Sequence, residues 1–103
     1  MLAATLAQPQ TLAIDLDADH RLDTVALKQT PRQIEVTVRF GDPSRAPEIF
    51  RFAVDPNRED AVCAVPVYLK REAAHGFMVV DNTCDSLHFF WNHATHRIQY
   101  WRL

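Results

Sequence analysis

Residues 33–54 read "QIEVTVRFGDPSRAPEIFRFAV". In "QIEVTVRF", Ile34, Val36, Val38 and Phe40 alternate with Glu35, Thr37 and Arg39. A period of two places one set on each face of a strand, because successive side chains point to opposite sides. "GDPSRAP" follows and reads as a loop, rich in the residues that end regular structure. "EIFRFAV" then alternates again, with Phe50, Phe52 and Val54 on one face. Two such runs joined by a short polar loop predict a hairpin.

Working outward, the same pattern recurs. Further strands are expected at "TLAIDL", "DTVALKQ", "AVPVYLK", "GFMVVD", "SLHFFW" and "RIQYWR". Between them lie the turn signals "TPR", "DPNRED", "AAHG", "DNTCD" and "NHATH". No long segment has helical spacing. "PNREDAVCA" has room for one short helical turn, with Asn57 as its cap and Asp60 three residues on. The reading is all-β: about eight short antiparallel strands in a single domain. Within it, Leu87, Phe89 and Trp91 are expected to point inward, with His88 and Phe90 on the other side.

The composition bounds what such a domain does. The chain has 103 residues and a formal net charge of −2, so no strong field points to nucleic acid or an anionic membrane. No apolar run approaches the length of a membrane helix. Residues 1–10, "MLAATLAQPQ", lack a basic start, but "TLA" before Gln8 looks like a small-residue cleavage site. That segment is expected to be the trimmed end of a signal peptide, with a natural cytosolic N-terminus as the alternative and the domain proper at 11–103. Cys63 and Cys84 are the two cysteines; export would let them form one disulfide, and two free buried thiols are the alternative.

One short stretch carries chemistry. "DLDADHRLD", residues 15–23, holds four of the nine aspartates. With Asp15 as position 1, Asp17, Asp19 and Asp23 fall at positions 3, 5 and 9, and Arg21 at 7. This is the opening of an EF-hand calcium loop, in which alternate carboxylates of a tightly coiled loop turn toward one hard cation. Position 7 contributes only its backbone carbonyl, so an arginine is no obstacle there. Leu22 is expected to tuck back onto the core. Two positions depart from the pattern. His20 stands where glycine usually makes the sharp turn, and Ala26 replaces the bidentate glutamate. The expected cofactor is calcium, held by Asp15, Asp17, Asp19, Asp23 and the Arg21 carbonyl between the first two strands.

Other chemistry is less well supported. His93 and His96, with His88 and Cys84 nearby, lack the paired spacing of a zinc site. Cys84, Asp85 and His88 crowd within five residues, but on one strand Cys84 and His88 would share a face and stand too far apart to touch. No phosphate loop and no nucleophile elbow occurs, so an enzyme is not expected.

Two stretches, "IDLDADHRLDTVAL" and "VVDNTCDSLHFFWNHATHRIQYWR", resemble small exported proteobacterial all-β proteins with a calcium loop of the VCBS and FG-GAP type. The pattern of that loop is D-x-D-x-D-G-x-x-D; Asp15, Asp17, Asp19 and Asp23 match it and His20 does not. Some of these proteins are similar to periplasmic lysozyme inhibitors. They act as immunity proteins against peptidoglycan-hydrolase effectors delivered by type IV secretion. The resemblance implies a periplasmic binding module whose partner is a secreted lysozyme-like effector, with polar loops such as "GDPSRAP", "DPNRED" and "KREAAHG" available for contact. The alternative expectation is a calcium-bound structural or adhesive module at the cell surface with no cognate enzyme.

Overall fold

In the computed structural model, which describes residues 10–102, the alternating segments become eight strands. In chain order they are β1 (Gln10–Ile14), β2 (Asp23–Gln29), β3 (Gln33–Arg39), β4 (Glu48–Ala53), β5 (Tyr68–Glu72), β6 (Gly76–Val80), β7 (Leu87–Asn92) and β8 (Arg97–Trp101). They form two four-stranded antiparallel sheets, ordered β1-β2-β3-β4 and β5-β6-β7-β8. Gln10, the last residue of the segment expected to precede the domain, is the first residue of β1; the cleavage-site reading of the residues before it lies outside the described residues.

The period-two faces do what their chemistry requires. Ile34, Val36 and Val38 are fully buried, and so are Val25 and Leu27 beside them on β2. Leu87, Phe89 and Trp91 supply the second sheet's inner face. One hydrophobic cluster draws on both sheets, so each covers the apolar face that the other could not leave in water. Its centre is aromatic. The Phe77 and Phe89 rings stack at 4.7 Å, and Phe50 and Phe52 of the first sheet meet Phe89 edge-on.

The expected start of the fifth strand, at Ala64, moves to Tyr68. Pro66 has no N–H to give a ladder. The backbone of Val67 is instead satisfied by a side chain: its N–H donates to Gln29 Oε1 at 2.8 Å, and Gln29 Nε2 donates to its carbonyl at 3.1 Å. The helical turn expected in 56–64 does not form. Asp55 accepts the N–H of Asn57 and Val62 donates to Ala53, leaving turns and a single bridge between Val54 and Val62.

The meanders set the ends of the molecule. The loops β1–β2, β3–β4, β5–β6 and β7–β8 gather at one end, tied by contacts among them. Arg45 Nη2 donates to the His96 carbonyl at 2.8 Å and His75 Nδ1 contacts the Asp15 carbonyl, while beside them Arg71 Nη2 on β5 donates to the carbonyl of Ala13 on β1 at 2.7 Å. The other end carries the β4–β5 and β6–β7 connections, joined by a disulfide between Cys63 and Cys84. A disulfide fits an oxidising, exported environment. Among the described residues no helix is long and apolar enough to cross a membrane.

Candidate metal centre

The aspartate loop links β1 to β2, whose ends are held in register by the pairing of Ile14 with Asp23. Inside it the backbone coils because short carboxylates accept its N–H groups. Asp15 takes those of Asp19 at 3.2 Å and His20 at 3.0 Å, and Asp19 takes that of Arg21 at 2.9 Å. Ala18 and His20 adopt left-handed backbone, with φ of 59° and 67°. His20 therefore makes the turn that glycine makes in the motif, at the strain cost of a β-carbon.

This coil brings Asp15, Asp17 and Asp19 together. One carboxylate oxygen from each lies within 4.8 Å of the other two. Calcium binds oxygens at about 2.3–2.6 Å, so three oxygens this close can share one ion. Asp17 Oδ1 is buried and accepts no hydrogen bond. Burial, chiefly, then the negative charges of Asp23 and Asp19, push the Asp17 carboxyl up to about 6. An unpartnered buried acceptor among like charges is a group that a cation would relieve.

Asp23, expected as the ninth-position ligand, is not among the converging carboxylates. It is fully buried, and both its oxygens accept backbone N–H groups at 2.8 Å, from Leu16 and from Gly41. It clamps the start of the loop to the β3–β4 turn. Gly41 is needed for that approach: a Cβ there would lie 2.6 Å from the Leu22 carbonyl oxygen. Leu22 does not tuck inward as expected but is 67% exposed; Leu16 is the loop's buried apolar residue. Arg21 turns its side chain toward Asp42, at 3.8 Å. His75, sixty residues away, contacts the Asp15 carbonyl through Nδ1. Nothing in the local pattern announces either His75 or Gly41, because both act across the fold.

The alternative sets do not assemble. Cys84 is committed to the disulfide and is not a free nucleophile or thiolate ligand. Cys63, Cys84 and Asp81 lie close together, but there Asp81 accepts the N–H groups of Cys63, Thr83 and Cys84. His93 and His96 lie in the exposed β7–β8 turn and join no metal-sized cluster among the described residues.

The raised Asp17 carboxyl makes a pH prediction. Its folded pKa, about 6, exceeds the ordinary 3.8, so the fold binds this proton more tightly than the unfolded chain does. Its contribution is therefore full at low pH and lost as pH rises from about 4 to about 6. In chelator, Asp17→Asn should flatten the pH dependence of stability in that window relative to wild type. Parallel urea-denaturation curves for the two proteins from pH 4 to 7 would show that Asp17 is not perturbed. No family model, curated protein or solved structure matches this chain.

Proposed function

We propose that this chain is a calcium-stabilised, exported binding module. On this reading it is periplasmic, is not an enzyme, and acts as an immunity protein that inhibits a secreted lysozyme-like peptidoglycan hydrolase. The observation that carries the reading is the convergence of Asp15, Asp17 and Asp19 around the unpartnered Asp17 oxygen, in a loop coiled through a left-handed His20. These three side chains and the Arg21 carbonyl hold the ion, water completes its shell, and Asp23 fixes the loop's frame. The ion's part is structural: it locks the end of the molecule where the loops "GDPSRAP" and "KREAAHG" meet the aspartate loop, and that end contacts the partner. "DPNRED" belongs to the far end and takes no part.

Metal binding to the fold alone stabilises it by RT ln(1 + [L]/Kd), about 2.7 kcal/mol at a hundredfold excess over Kd. For a domain of this size that is roughly 10–20 °C in melting temperature. Millimolar calcium should raise the wild-type midpoint above its value in chelator, and Asp17→Ala should abolish the difference. Superimposable melts with and without calcium would reduce the loop to a solvated acidic turn. The partner reading is tested by assaying peptidoglycan hydrolysis by a lysozyme-like enzyme encoded beside this gene. Stoichiometric inhibition is expected, and full activity with excess protein would refute it.

A further inference from the structure

The two sheets differ on their outer faces. On the first, Thr24, Lys28, Glu35, Arg39 and Arg51 face solvent, and Ile49 is the one large apolar side chain exposed among the described residues of that face. On the second, Tyr68, Phe90 and Trp101 are 42%, 37% and 47% exposed. Half-buried Met78, Val80 and His88 lie between them by register. The same architecture thus carries an ordinary solvated face on one side and an aromatic one on the other. Exposed aromatic side chains set among polar groups, on one sheet and not the other, are the composition of a ligand-binding face.

The aromatic face is prepared for its ligand. The Trp101 indole stacks on the His88 imidazole, with centroids 4.0 Å apart and planes 9° from parallel. His88 Nδ1 is in turn held between the two carboxylate oxygens of Glu72, at 2.8 and 2.9 Å. A ring fixed in this way loses little entropy when something stacks on it. Polar groups share the face: Lys70 and Glu72 on β5, Asn92 on β7 and Gln99 on β8, with Asn92 Nδ2 donating to Gln99 Oε1 at 2.8 Å.

Size decides what fits. Four strands of five or six residues present on the order of 300 Å² at ordinary strand spacing and rise. A stable dimer or standard protein complex buries about 800 Å² on each partner. Flat aromatic rings interleaved with amide, carboxylate and ammonium groups suit a ligand whose faces are apolar C–H and whose rim is hydroxyl. We propose that the outer face of the β5–β8 sheet binds a short oligosaccharide chain, with Trp101 and Phe90 as its stacking rings. This site belongs to strands β5–β8, not to the metal loop, and stands or falls separately from it.

The test is isothermal titration of the folded, calcium-supplemented protein with chitotetraose and with cellotetraose at millimolar concentration. Binding is expected to at least one of them. It should be weakened about tenfold or more by Trp101→Ala and again by Phe90→Ala, the scale of a lost aromatic contact. Melting curves check that each variant folds, and Phe90→Ala alone carries the test if Trp101→Ala does not. No heat with either glycan, or binding untouched by the variants, overturns the proposal. Self-association on sedimentation that Phe90→Ala removes would overturn it too, by making the face a contact between copies.

Discussion

Asp23→Ala is expected to destabilise the fold by about 3 kcal/mol or more, in chelator as well as in calcium. The reasoning is a count of orphaned donors. Asp23 is fully buried and accepts the N–H groups of Leu16 and Gly41. Removing the carboxylate strands both, and a buried unsatisfied donor costs about 1–3 kcal/mol. Asp23→Asn keeps one acceptor and should fall between alanine and wild type. Asp17→Ala is the contrast: its loss of stability should appear only when calcium is present, because in chelator near neutral pH it removes a charge that burial and Asp23 disfavour. Urea denaturation of the three variants, each with and without calcium, separates the roles. If the Asp23→Ala loss vanished in chelator, Asp23 would be a metal ligand, as its spacing from Asp15 alone reads.

That contrast marks how far the sequence carries. The alternation at Ile34, Val36 and Val38 identified a strand and its buried face because the signal is local and repeats. The same holds for Leu87, Phe89 and Trp91. That Asp15, Asp17 and Asp19 come together was readable for a similar reason, since which carboxylates of a coiled loop share a side is a matter of spacing. Asp23 was not. A carboxylate eight residues from Asp15 can serve a cation or two backbone donors; the structure shows the two donors, and Gly41, one of them, approaches only once β2, β3 and β4 have paired. Leu22 faces out for the same cause: with Asp23 buried as the clamp at the start of β2, the residue just before it points the other way. The fifth strand failed at its start because Gln29, nearly forty residues earlier, supplies what a ladder would have supplied to Val67. The aromatic face was half readable. Phe90 and His88 were placed outward by alternation, but the stack of His88 on Trp101 depends on the β7–β8 register.

Reduction of the Cys63–Cys84 disulfide is expected to cost about 3 kcal/mol, as is the double variant Cys63→Ala/Cys84→Ala. The bond joins residues 21 apart in sequence, and in the chain-entropy model a closed loop of that size removes about this much from the unfolded state. Native contacts will not collapse with it, because a polar network holds the same two segments. Asp81 is fastened to the Cys63 N–H at 2.7 Å and to those of Thr83 and Cys84. Arg102 reaches over both: Nη1 donates to the carbonyls of Glu59 and Ala61, at 2.9 and 2.6 Å, and Nε to that of Asp85 at 3.1 Å. The loss should therefore appear in the unfolding midpoint while the folded protein keeps its spectroscopic signature. It should also be independent of calcium, since the disulfide and the aspartate loop occupy opposite ends of the sandwich and sites that far apart add. A stability loss below about 1 kcal/mol on reduction would mean that residual structure already holds these segments together in the unfolded chain. A loss that grew markedly in chelator would mean that the two ends are coupled through the sheets.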